Sequence, residues 1–117
     1  MIMRKSTLVS AVLFAALAVG LGLHTALAQN SGDRNVSGTV LDDAARPVLG
    51  ATVFLQDEKT KSIRSFTSIA NGHFYFAQVN KAKDFDLWAE KEGKKSAVKT
   101  VSSWDARTDF ISDLKLK

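Results

Sequence analysis

The chain has 117 residues, no cysteine and a formal net charge of +4. Without thiols neither disulfides nor thiolate zinc sites can form, so stability must come from packing. A chain of this length supports one modest core and no deep catalytic cleft.

The first 28 residues carry export signals. Arg4 and Lys5 make a basic start, Leu8 to Leu23 is an uncharged run rich in Leu, Ala and Val, and Ala26 and Ala28 set an A-x-A pattern. Signal peptidase admits only small side chains there, so Met1–Ala28 reads as a secretory signal peptide, expected to be helical, cut between Ala28 and Gln29. The alternative is an uncleaved anchor, for which the apolar run is short against the roughly 20 residues of a span. No cysteine follows, which excludes a lipidated lipoprotein. Removing residues 1–28 from the 117 leaves 89, and losing Arg4 and Lys5 lowers the net charge from +4 to +2. The remaining bases alternate with acids. Apart from Lys91, Lys94, Lys95 and Lys99 they form no cluster, so nucleic acid is not an expected partner.

Residues 29–34 read as a flexible polar segment. Strand patterns then recur between turn residues, and helical periodicity is absent. The expected strands are 35–41, 51–56, 63–68, 73–76, 84–90, 96–101 and 108–116. Asp42–Pro47, Asp57–Lys61, Asn71-Gly72 and Glu92-Gly93 form the turns. Seven strands over residues 35–117 predict an all-β, seven-stranded antiparallel β-sandwich, because each apolar face needs another to cover it. The expected core is Val40, Ala51, Val53, Leu55, Phe74, Phe76, Leu87, Ala89, Phe110 and Leu114.

Three stretches resemble the carboxypeptidase regulatory-like domain: Val36-Ser37-Gly38-Thr39-Val40-Leu41-Asp42, Arg46-Pro47-Val48-Leu49-Gly50-Ala51-Thr52-Val53-Phe54-Leu55, and Asn71-Gly72-His73-Phe74-Tyr75-Phe76. Phe85-Asp86-Leu87-Trp88-Ala89, with Gly93 after it, extends the likeness. The resemblance implies a transthyretin-like sandwich, here as a stand-alone exported module, and a domain that is not catalytic. Three positions depart from the family pattern. Ile69 replaces a turn aspartate, Ser68 stands where Thr is usual, and Ala45 where a glycine is common.

The residue types argue against catalysis. After cleavage His73 is the one histidine, on the solvent face of a strand with no nucleophile motif beside it. One His and no Cys cannot make an ordinary zinc site. Asp42-Asp43 lacks the spacing of a calcium loop, and Asp84, Asp86, Glu90 and Glu92 lie along an open strand without a cleft between acids. Neither a cofactor nor a metal is implied. Asn35–Leu41 has no lysine for an isopeptide crosslink, and Asn35-Val36-Ser37 is a glycosylation sequon only in a eukaryotic source.

Alternation puts Tyr75, Trp88 and Phe54 outside the core, with Trp104 in the last long loop. Trp88, Tyr75 and Trp104 are therefore the candidate ligand-binding residues, with cross-strand shielding, and for Trp104 a plug at one end of the core, as the bland alternatives. The expected function is a non-catalytic structural or interaction module in the periplasm, at the cell surface or outside the cell. Its partner is an envelope or extracellular protein, and the membrane is met only through the signal peptide. The alternatives are a carbohydrate-binding module that holds polysaccharide on exposed rings and an oligomeric transthyretin-like carrier of a small ligand.

Overall fold

The computed structural model describes residues 32–117. The expected signal peptide Met1–Ala28 and its cleavage position between Ala28 and Gln29 lie outside the described residues. The strands are β1 (Asp33–Leu41), β2 (Thr52–Asp57), β3 (Ile63–Thr67), β4 (His73–Asn80), β5 (Phe85–Lys91), β6 (Lys94–Lys95), β7 (Lys99–Val101), β8 (Asp109–Ile111) and β9 (Leu114–Lys115). They form two sheets, β4-β1-β8 with β9 also on β1, and β3-β2-β5-β6 with β7 also on β5.

Period-two alternation makes this a sandwich. In β2 Val53, Leu55 and Asp57 are buried while Thr52, Phe54 and Gln56 are half-buried. All ten residues expected in the core are buried, joined by Val36, Val79, Phe85, Val101 and Leu116. Each large apolar side chain so buried contributes roughly 1.5–3 kcal/mol. Phe74 and Phe76, with ring centroids 6.3 Å apart, form the aromatic centre. Gly38 faces inward on β1, where a Cβ would overlap the carbonyl oxygen of Ser112. Glycine is required there because the chain between β8 and β9 crosses against the strand.

The structure corrects the expected fold class in three ways. First, the sheets are not purely antiparallel: β1 pairs with β8 and β9 in parallel. The cause is the Ser102–Thr108 loop, which carries the chain from one sheet to the other at the end where β1 starts, so β8 sets out in the direction of β1. Second, the expected sixth and seventh strands are each broken. Ser96 keeps its bond to β5, its N donating to Ala89 O at 2.9 Å, and also bridges Leu116, after which pairing lapses over Ala97-Val98; Ser112 N donates to Ser37 O at 3.0 Å between β8 and β9. Third, the described residues contain no α-helix, so the sandwich is not described with a helix ahead of it, and that expectation is withdrawn. Asp33 and Arg34, expected in the flexible segment, begin β1.

Candidate functional site

The sandwich has two loop ends, and Trp104 stands at one of them. This end collects the Asp57–Ser62 turn, the Asn80–Asp84 turn and the Ser102–Thr108 loop. Ser102–Asp105 is a four-residue turn, closed by Asp105 N donating to Ser102 O at 3.1 Å. Ser103 and Trp104 occupy its tip, and the Trp104 side chain is 94% exposed.

The turn is tethered at almost every residue. Ser103 N donates to Asp84 Oδ1 at 2.6 Å, and Trp104 N to Ser102 Oγ at 3.1 Å. From inside the sandwich, Arg34 Nη2 donates to Asp105 O at 2.7 Å and to Ser102 O at 3.2 Å. Arg34 is 2% exposed, and its Nε and Nη1 have no hydrogen-bond partner. A buried guanidinium is costly to desolvate and needs a compensating charge. Asp105 supplies it at 4.0 Å and is itself gripped by Arg107, whose Nη2 approaches to 2.6 Å. Those bonds from Arg107, assisted by the charge of Arg34, hold the Asp105 carboxyl far below the usual range, and the same pair raises Arg107. Arg107 also lies over the Phe110 ring at 4.9 Å. Asp84 is lowered by the Ser103 bonds.

Beside this turn, Asp57, Thr60, Ala82, Lys83 and Asp84 line an open groove of about 400 Å³. One of its charges, Asp57, is satisfied from within the groove. Asp57 Oδ1 accepts from the Thr60 and Lys59 amides and Oδ2 pairs with Lys83 at 3.3 Å, so Asp57 is lowered. Glu58 is raised by its hydrogen bond to Asp86, then by burial and the Asp86 and Asp84 charges. Among the described residues no group of three or more His, Asp or Glu side chains could hold a metal ion.

The three expected ligand-binding aromatics do not share a surface. Tyr75, 42% exposed, lies on the outer face of the β4-β1-β8 sheet, with its hydroxyl donating to Asn35 Oδ1 at 3.1 Å. Trp88 lies on the outer face of the other sheet. There it stacks on Phe54 at 5.2 Å, donates from Nε1 to Glu90 Oε2 at 2.8 Å, and lies under Lys95 Nζ at 5.4 Å. Trp88 is thus shielded by the cross-strand pairing of β2 and β5. Trp104 does not plug the core end; Arg34 does. Sequence reasoning missed Arg34, because a lone Arg beside a polar stretch looks like a solvated residue. Its one signal was parity, since it falls in step with Val36 and Val40.

The carboxypeptidase regulatory-like domain model matches residues 35–116. A search of the curated proteins finds no match. Among solved structures, the fold is similar to the major pilin subunit BcpA of Bacillus cereus, with TM-score 0.58 and 12% identity, over 73% of this chain and 30% of that one. It is also similar to catechol 1,2-dioxygenase from Acinetobacter sp. ADP1, with TM-score 0.56 and 12% identity, over 75% and 53%. A third likeness is the dioxygenase domain of a dioxygenase carbohydrate-binding protein fusion from Streptomyces sp. SirexAA-E, with TM-score 0.54 and 13% identity, over 74% and 80%. The chain thus spans about half of the Acinetobacter dioxygenase and under a third of the pilin subunit. At such identities these likenesses establish the fold alone.

Proposed function

This chain belongs to the carboxypeptidase regulatory-like domain family, and on that premise we propose that it is an exported interaction module that docks to an envelope or extracellular protein through Trp104. The family's domain is non-catalytic, and this chain is not an enzyme. Export rests on the basic start, the apolar run and the Ala26-x-Ala28 pattern.

One observation carries the docking reading: a 94% exposed indole on a turn tethered from both sheets. Tryptophan brings roughly 200 Å² to an interface. At about 25 cal/mol per Å², leaving it in water forgoes roughly 4–5 kcal/mol. A rigid turn adds little ordering cost when a partner pocket closes over it, the character of an interface anchor. Polysaccharide stacking is the other use of a single exposed ring.

The test uses the purified chain carrying Trp88→Phe, so that Trp104 is the sole fluorophore. A saturable blue shift with fractionated envelope proteins, retained in Tyr75→Ala, is the expected result, with Trp104→Ala in the otherwise unaltered chain losing the binding when it is read by surface plasmon resonance. A shift with soluble polysaccharides instead would transfer the site to carbohydrate. Emission unchanged by either would sink a docking role for Trp104.

A further inference from the structure

The sandwich has four outer strand borders, and three of them are obstructed. On β4, Ala77 O accepts from Arg64 Nη2 at 2.8 Å and His73 O from Ile69 N at 3.0 Å. The same strand bulges at Gln78, whose φ is +56°. The border formed by β6 and β7 is short, interrupted after Ser96, and bears Lys94, Lys95 and Lys99. β8 and β9 are split by Ser112-Asp113, and the chain after β9 is tied to the other sheet by the Ser96–Leu116 bridge. Bulges, lysines and coverage are the usual means by which a sheet border is kept from pairing with another chain.

β3 has none of these. Its ladder to β2 uses the even-numbered residues. Ser68 N donates to Ala51 O at 2.8 Å, Asp57 N donates to Ser62 O at 2.9 Å, and the register between them is unbroken. The backbone N–H and C=O of Ile63, Ser65 and Thr67 therefore point away from β2. They make no outward hydrogen bond among the described residues, and all three residues are exposed. Ser62–Ser68 contains no Pro, Lys, Asp or Glu. Its one charge, Arg64, is turned toward β4, where it binds Ala77 O and lies over Phe76 at 5.5 Å.

We propose that β3 is a docking edge for β3 of a second copy of this chain, paired antiparallel about Ser65. The outward groups fall on alternate residues, so a two-fold axis at Ser65 brings them into one ladder. Ser65 then faces Ser65, and Ile63 of each copy faces Thr67 of the other. No like charges meet, and Ile63, 52% exposed, gains cover. Pairing uses the edge of both copies, so assembly stops at a dimer. Five residues of strand bury much less than a standard interface, and the dimer is weak, present at ~1 mM and lost near ~10 µM. This inference does not rest on the Trp104 reading.

The test is sedimentation equilibrium of the purified chain across that range, with amide exchange measured in parallel. Expected is a monomer–dimer equilibrium in which the Ile63, Ser65 and Thr67 amides exchange at least tenfold more slowly at high concentration. Ser65→Lys sets two charges face to face and Ser65→Pro removes an outward N–H without breaking the β2 ladder. Both are expected to abolish the dimer, whereas Trp104→Ala retains it. A chain monomeric at ~1 mM overturns the proposal, as does a dimer that survives Ser65→Lys or disappears in Trp104→Ala. Should Ser65→Pro fail to fold, Ser65→Lys, confined to an exposed face, still decides.

Discussion

The two loop ends of the sandwich are fastened by different chemistry. At the end opposite Trp104, backbone and hydroxyl groups do the buried holding, and the one ion pair there among the described residues, Asp42 with Arg46 at 3.0 Å, lies on the outer loop. Ser68 Oγ accepts from Ala51 N at 2.9 Å and donates to Val48 O at 2.7 Å, while Val48 N donates to Val40 O at 2.8 Å. Gly50, Asn71 and Gly72 supply the left-handed turns, with φ of +83°, +65° and +72°. At the Trp104 end, ionised groups hold the chain: Asp84 on Ser103, and Asp105 between Arg34 and Arg107. The bonds of Ser68, Val48 and Val40 involve no titratable group; the lowered carboxylate at this end, Asp42, is held by the Arg46 amide on the outer loop. A charged scaffold at the other projects an exposed ring from a fixed turn while leaving its surroundings polar.

The largest effect is expected at the neutral end. A Cβ on Gly72 would lie 2.6 Å from Val40 O and 2.9 Å from Val48 N, in addition to the left-handed φ. Gly72→Ala should cost about 3 kcal/mol or more, combining backbone strain with displacement of two backbone segments, β1 at Val40 and the loop at Val48. Gly50 has comparable φ but meets only Lys91 Nζ, at 3.6 Å. Gly50→Ala should cost about 1 kcal/mol, the conformational part alone. Urea unfolding of the two variants separates close approach from dihedral strain. Equal losses would show that the contact of Gly72 with β1 contributes nothing.

Acid is expected to separate the ends without unfolding the whole. Asp84 and Asp105 are both lowered in the folded state, by the Ser103 bonds and by Arg107 respectively. A depressed carboxylate contributes stability that is fully present above its unfolded value, near 3.9, and is lost as pH falls through the folded value. From neutral pH down to about 4 the contributions of Asp84 and Asp105 should hold, while protonation of Glu58, raised by its bond to Asp86, relieves a repulsion. Below that, the turn carrying Trp104 should loosen first, Asp84 releasing Ser103 before Asp105 releases Arg107. In the Trp88→Phe chain, Trp104 anisotropy should fall while the Gly50 and Ser68 amides stay protected from exchange. Simultaneous loss of both would make the ends one cooperative unit.

The fold was largely legible because alternation is a strong signal where one face is buried. Val53, Leu55, Phe74, Phe76, Leu87 and Ala89 all point inward as their parity requires. What alternation cannot express is where a strand leaves one sheet for the other. Ser96 and Ser112 interrupt β6–β7 and β8–β9 through contacts with residues distant in sequence, and the parallel pairing of β1 follows from that crossing. At the candidate site, the sequence placed Trp104 in its loop but not its exposure. That depends on Arg34, 70 residues earlier in the chain, filling the end of the core that Trp104 was a candidate to plug. Tyr75 and Trp88 were correctly placed outside the core, yet parity does not say that two outward rings lie on opposite sheets.

The smallest expected effect lies at Ala45, and it runs toward stability. Asp42 organises this loop. Its Oδ1 accepts from Ala44 N and Arg46 N, both at 2.9 Å, and its backbone oxygen accepts from Ala45 N at 3.0 Å. Those bonds oblige Ala45 to adopt φ of +63°, which an L side chain resists. This is the position where the family commonly has glycine, so the departure in sequence coincides with a strained backbone. Ala45→Gly removes roughly 1–2 kcal/mol of strain and returns part of it by loosening the unfolded chain. The net gain should be about 0.5–1 kcal/mol, raising Tm by roughly 3–6 °C for a domain of this size. A thermal melt at neutral pH reads the difference directly. An unchanged or lower Tm would mean that Asp42 alone carries the turn at no conformational cost, and that the neutral end tolerates left-handed alanine at Ala45 as it does not at Gly72.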